Sequence, residues 1–183
     1  MKRPILHQPS HTTWRDRHPD IFARAAGIIG RGPAHLLSFG CSSGEECYTL
    51  REYIPHATVV GADISLPLIE QNRDRNRDPA VTFVHSQFSK LQRYAPYDMI
   101  FAINVLVRDV ISPFDYPLYV FDYFEEQLLE FDRILSVGGH LVLVHTQHDP
   151  RQSSLLVSGA YSDVATRQFL QKVSPLPQPR RTQ

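Results

Sequence analysis

Little in this chain can cross-link, span a membrane or attract a polyanion. Cysteine occurs only at positions 41 and 47 of 183 residues. That is too few for a disulfide framework, and no histidine pair completes a zinc spacing with them. No apolar run approaches the ~20 residues of a membrane span. The opening MKRPILHQPSHTTW holds no apolar stretch of the ~7–15 residues that a secretory leader carries. Charge is balanced, with 19 basic and 19 acidic residues, and lysine is scarce, three against sixteen arginines. Balance excludes the basic footprint of a general nucleic-acid binder. These absences predict a soluble, cytoplasmic protein that engages neither nucleic acid nor membrane.

What is present has the size and pattern of one α/β domain. A chain of 183 residues, 42% hydrophobic, lies near the usual length of one domain, about 150 residues, and can bury a sizeable core. Residues 1–19 are polar and interrupted by Pro4, Pro9 and Pro19, which reads as an N-terminal arm. From Asp20, Ile21, Phe22, Ala25, Ile28 and Ile29 share a helical face, with Gly30 and Gly32 as the stop. Strands at His35–Phe39, Thr58–Ala62, Val81–His85, Asp98–Val105 and His140–His145 then alternate with helices at Glu45–Ile54, Leu66–Arg77 and Asp122–Leu135. Gly138 and Gly139 read as the stop of the last of these. The strands are apolar throughout rather than alternating, as when both faces are covered. The pattern predicts a doubly wound, mostly parallel sheet spanning residues 20–173. Tyr161–Val173 reads as a further helix. Residues 174–183 carry three prolines and two arginines and read as a disordered tail.

Two signals carry chemistry. The first is L-S-F-G-C-S-S-G-E-E, residues 37–46, at the first strand-to-helix junction. A turn of Gly40, Cys41, Ser42, Ser43 and Gly44 allows close approach to the backbone. The following helix aims its unpaired N–H groups at the same crevice. The second is Asp63, closing the second strand 19 residues after Gly44. That is near the spacing of about 20 at which an acid takes the ribose hydroxyls of an adenosine cofactor. A nicotinamide site wants G-x-G-x-x-G to admit a pyrophosphate. Here Ser42 replaces a glycine, and Glu45 and Glu46 would repel that anion. The pair suits an ammonium or sulfonium instead. A phosphate-gripping G-K-[ST] is absent. The loop chemistry therefore favours S-adenosyl-L-methionine over a nicotinamide-dependent reductase.

From about residue 12 to 146 the chain resembles the class I S-adenosylmethionine-dependent methyltransferases, with a Rossmann-like fold. FGCSSGEECYTL is similar to the glycine loop of the chemotaxis-receptor methyltransferases, G-C-S-T-G-E-E. YDMIFAINVL and RILSVGGHLVLVH resemble the same group's fourth strand and fifth-strand turn, and T-T-W-R-D its T-x-x-x-R-D segment. Small uncharacterised bacterial methyltransferases with an FGCSTGEE loop are more similar still. The resemblance implies that Gly40, Cys41, Ser42 and Gly44 line the methionine and ribose portions, with Glu45 near the amino end. It implies that Asp63, followed by Ile64, holds the ribose, Gln87 faces the adenine, Asn104 backs the methionine and Arg15 clamps its carboxylate. The family's acid two residues before the first glycine is replaced by Ser38. Its acid at the adenine position is replaced by Gln87. A C-terminal antiparallel hairpin, usual in the family, is not evident after residue 146. Leu155–Val157 is the one apolar stretch there fit for a strand. The expectation is a sheet cut short, whose exposed edge would favour a homodimer.

The acceptor is less legible. After the fourth strand stands Asn104-Val105-Leu106-Val107 rather than a D/N-P-P-Y/F motif, which disfavours nucleobase N-methylation. Phe114, Tyr116 and Tyr119 precede the last helix and read either as core or as a lid over substrate. An O-acceptor benefits from a general base, for which His145 and Tyr119 are the candidates, with His148 close by. No metal site is expected, because H-T-Q-H lacks carboxylate or thiolate company. The reading is methyl transfer to an O or N atom of a small-molecule acceptor. The alternatives are a protein carboxyl methyltransferase, whose docking subdomain has no counterpart here, and a non-catalytic cofactor-binding module.

Overall fold

The computed structural model describes residues 11–107, 120–163 and 168–176. Helix α1 (Pro19–Ile29) starts at the rigid φ of Pro19 and ends at Gly30, whose φ of +70° a side chain rarely adopts. It buries Ile21, Phe22 and Ala25. Strands β1 (Ala34–Phe39), β2 (Ala57–Asp63), β3 (Val81–His85) and β4 (Tyr97–Ile103) follow. Between them lie α2 (Glu45–Tyr53), α3 (Leu66–Arg75) and a single-turn α4 (Phe88–Leu91) that the sequence pattern does not reveal. Helix α5 (Phe121–Ile134) leads into β5 (Leu135–Val144).

β1 to β5 pair in parallel. The strand order β3-β2-β1-β4-β5 reverses direction between β1 and β4, which opens a crevice at their carboxyl ends. Side chains alternate through the sheet. Met99, Phe101 and Ile103 join the layer under α1, α2 and α3, whereas Ile100 and Ala102 join the layer under α5. Phe124 and Phe131 of α5 are wholly buried, each contributing roughly 2–3 kcal/mol of transfer free energy. The doubly wound, mostly parallel sheet read from the sequence is therefore present.

Several expectations near the C-terminus are corrected. Tyr161–Val173 is not a helix: Tyr161–Asp163 is strand β6 and Phe169–Lys172 is strand β7. β7 runs antiparallel beside β5 and β6 antiparallel beside β7, so the sheet has seven strands and is not cut short. The edge of β5 expected to be exposed is covered by β7. Leu155–Val157 lies in a short helix, α6 (Ser154–Val157), rather than a strand. Gly138 and Gly139 do not end α5, which stops at Ile134; both lie within β5. A Cβ at Gly139 would sit 2.9 Å from two carbonyl oxygens, so close backbone approach explains the residue. Of the expected tail, Ser174 still bonds the carbonyl of Ala160 and Leu176 packs on the core. Among the described residues, no helix is long and apolar enough to cross a membrane.

Candidate functional site

The crevice at the switch point is a cleft of about 830 Å³, part of it open to solvent. Its floor is the turn between β1 and α2. The N–H groups of Gly40 and Cys41 both donate to the carbonyl of Ala62, at 2.7 and 2.9 Å. Gly40 has φ +78°, and a Cβ there would meet Val105 at 2.5 Å, so both conformation and space require glycine. Gly44, the N-cap of α2 at φ +85°, is likewise held against the Phe83 ring. Asn72 of α3 donates its side-chain amide to the carbonyl of Ser42 at 2.7 Å.

Asp63 ties this turn to β2. It is buried; its Oδ2 accepts from the Ser42 N–H at 2.9 Å and its Oδ1 from the Ser65 N–H at 2.8 Å. Each oxygen keeps lone-pair capacity, and the residue lines the cleft together with Ile64. Gly40, Cys41, Ser42 and Asn104 line it too, so six of the residues singled out from the sequence converge here.

Others do not. Arg15 is exposed and spends its guanidinium on Glu45, at 3.0 Å, and on Glu52, above the ring of Tyr48. Glu45 is thereby engaged outside the cleft, and Gln87, the N-cap of α4, does not line it, whereas its neighbour Ser86 does. Tyr119, Phe114 and Tyr116 lie outside the described residues. His148 packs its ring against Phe121 and Phe124 of α5, at 5.6 and 5.7 Å. His145, exposed just after β5, does not itself line the cleft and is joined to it through a hydrogen bond from its Nδ1 to Oδ1 of Asn104, which does.

Among the cleft residues that sequence reasoning did not single out, two carry chemistry. Glu46, not Glu45, lines the cleft, and its carboxylate accepts from Ser38 Oγ at 2.8 Å. A carboxylate from the second residue of α2 thus stands beside Ser38, at the position where the resemblance led one to expect an acid. The signal was the pair of acids, and only the helical phase separates them. His18 also lines the cleft and bonds Asn104. It belongs to the segment preceding α1, far from every motif, and nothing in the sequence marks it.

Three non-glycine residues of this region have left-handed backbones: Ser42 (φ 50°), Asn104 (φ 55°) and His145 (φ 51°). Such strain persists where the surroundings over-determine it, and it clusters at ligand sites. The Cys41 thiol is held well above its usual range by the neighbouring Cys47 thiol and by burial, so it stays protonated at neutral pH.

Burial pushes the Glu46 carboxyl up to about 7, against the lowering influence of the Ser38 hydroxyl and the Arg17 charge. A raised value means that the folded state binds the proton more tightly than the unfolded chain. The group therefore costs nothing below its ordinary value of 4.5 and increasingly opposes folding as pH climbs from there to about 7. Glu46→Gln is accordingly expected to raise the melting temperature at pH 8 and to leave it nearly unchanged at pH 4. Equal shifts at both pH values would remove the assignment.

Comparison with known proteins agrees with this geometry. Residues 36–117 match the family model described as a methyltransferase domain. That segment is similar to a methyltransferase domain over somewhat less than half of the chain. No protein of curated function matches the sequence. Among solved structures, an S-adenosylmethionine-bound amino pentose methyltransferase of Micromonospora echinaspora, CalS10, is similar at TM-score 0.53 and 20% identity. That alignment covers 76% of this chain and 53% of CalS10, so this chain spans about half of its neighbour's length. Coclaurine N-methyltransferase, bound to N-methylheliamine and S-adenosylhomocysteine, aligns at TM-score 0.50 and 19% identity over 68% of this chain and 33% of its own. PKMT2 from Rickettsia typhi aligns at TM-score 0.50 and 19% identity over 67% of this chain and 24% of its own. At these identities the likeness is one of fold.

Proposed function

We propose that the cleft binds S-adenosyl-L-methionine and that the protein transfers its methyl group to an O or N atom of a small-molecule acceptor. The observation that carries this reading is the Asp63 carboxylate. It lies buried at the end of β2, bonded to the Gly40–Gly44 turn, with acceptor capacity left on both oxygens. A ribose diol is the ligand group that uses two adjacent carboxylate oxygens. When bound, the sulfonium supplies an electrophilic methyl carbon. The chain's own part is to bind and orient: Asp63 takes the ribose hydroxyls, Gly40 admits the ligand to the backbone, and Glu46 opposes the ammonium charge. His145, and Tyr119 by its place in the sequence, are the candidates to receive a proton from the acceptor.

A small-molecule acceptor is supported by the amino pentose and N-methylheliamine of two fold neighbours. Calorimetric titration with S-adenosylmethionine, S-adenosylhomocysteine and NADH tests the reading. Micromolar binding of the first two and none of NADH is expected. NADH binding in their place would assign the cleft to a nicotinamide, and silence from all three would leave a non-catalytic role.

A further inference from the structure

We propose that His18, acting through Asn104, locks His145 in the tautomer whose Nε2 carries the free lone pair, so that His145 is the proton acceptor and His18 its positioning residue. The proposal rests on the methyltransferase reading above.

The Asn104 amide lies between two imidazoles. Its Nδ2 is 3.0 Å from Nε2 of His18, and its Oδ1 is hydrogen-bonded to Nδ1 of His145. The two rings stand 6.0 Å apart at 75°. An amide nitrogen offers only hydrogens, so His18 Nε2 must be the acceptor. An amide oxygen only accepts, so His145 Nδ1 must donate its hydrogen. A neutral imidazole bearing hydrogen on Nδ1 has its lone pair on Nε2. Among the described residues, no hydrogen bond occupies His145 Nε2.

The arrangement is asymmetric toward a proton. Protonating His145 at Nε2 keeps its bond to Asn104 and strengthens it with charge. Protonating His18 at Nε2 would set two donors face to face. Burial, then the charges of Arg17 and His145, hold His18 below the ordinary histidine range, against the opposite pull of Asp20. Burial and the two neighbouring charges favour neutral His18. Its position is fixed because its own carbonyl accepts from the N–H groups of Ile21 and Phe22, at the start of α1. Asn104 is fixed by its N–H bond to Val144, at 2.9 Å, and by its left-handed backbone. A base oriented by a second group, itself oriented by a third, is the general construction of an activated side chain.

The step balances. The acceptor's O or N lone pair forms the new bond to the methyl carbon while the carbon–sulfur bond breaks and its electron pair stays on sulfur. The acceptor's proton passes to His145 Nε2, giving an imidazolium held by Asn104.

Imidazole nitrogen spectra of the ¹⁵N-labelled protein at pH 8, without cofactor, test the proposal independently of methyl transfer. His145→Gln assigns the signals. Wild type is expected to show His145 with a pyrrole-type Nδ1 and a pyridine-type Nε2. His18→Phe removes the acceptor and is expected to move His145 toward the Nε2–H form that an isolated side chain favours in water. His18→Gln, whose amide oxygen can accept from Asn104, is expected to restore the wild-type pattern. If His18→Phe does not fold, His18→Leu replaces it. An Nε2–H form in the wild type, or an unmoved Nδ1–H form in His18→Phe or its replacement His18→Leu, overturns the proposal while leaving the cofactor titration to decide the reading beneath it.

Discussion

Asp63→Ala is expected to weaken S-adenosylmethionine binding by on the order of 10-fold or more. Two losses coincide in that variant. The proposed ribose site loses a charged acceptor for two hydroxyl groups. The floor of the cleft also loses the bond that holds it, since Asp63 accepts from Ser42 at 2.9 Å and from Ser65 at 2.8 Å. Each orphaned backbone donor costs roughly 1–3 kcal/mol where water cannot reach it, so the melting temperature should fall as well. Asp63→Asn separates the two effects. It keeps one oxygen for the turn and loses the charge, so stability should recover further than affinity. Calorimetry with S-adenosylhomocysteine reads the affinity, and an unchanged dissociation constant in Asp63→Ala would place the ribose elsewhere.

Lys172→Met is expected to destabilise the fold by about 3–5 kcal/mol, as when one partner of a buried ion pair is removed. Lys172, on β7, has only 8% of its side chain exposed. Its ammonium reaches Asp132 Oδ1 at 2.9 Å and the carbonyls of Asp132 and Leu135 at 2.7 and 3.2 Å. Those carbonyls close the C-terminal end of α5, where a cation also meets the negative end of the helix dipole. Tyr161, on β6, donates its hydroxyl to the same carboxylate at 2.9 Å. Burial, with the Asp132 charge and hydrogen bond, pushes the Tyr161 phenol well above its usual value, so it remains a donor at every working pH. One carboxylate on α5 thus pins both strands of the C-terminal hairpin. Urea denaturation of Lys172→Met, Asp132→Asn and the double variant should give a double cost smaller than the sum of the singles. A loss under about 1 kcal/mol in Lys172→Met would show that the pair is dispensable.

That hairpin is also where sequence reading failed. Residues 161–173 have apolar positions spaced for a helix, and β6 and β7 comprise three and four residues, too short for a period of two to declare itself. β7 pairs with β5, a long-range contact that no local pattern encodes, and β6 in turn pairs with β7. Val81–His85, by contrast, is legible to the residue, because Val81, Phe83 and Val84 form a short buried apolar run bounded by proline and polar turns.

The site divides in the same way. Local chemistry carries the glycine turn and the acid after β2: Gly40 needs its φ of +78° wherever it is used, and Asp63 closes a strand whose end is written in its own residues. Position in space was decided by tertiary structure. Helical phase placed Glu46 rather than Glu45 in the cleft, ion pairing with Glu45 and Glu52 turned Arg15 away from it, and α1 delivered His18 to Asn104, 86 residues along the chain. By itself, then, the sequence determined the alternation of strands and helices, the switch-point turn and its acid, because each depends on side-chain period or backbone freedom within a few residues. The C-terminal hairpin and the His18–Asn104–His145 array depend on which distant groups meet once the sheet has formed, and only the folded chain decides that.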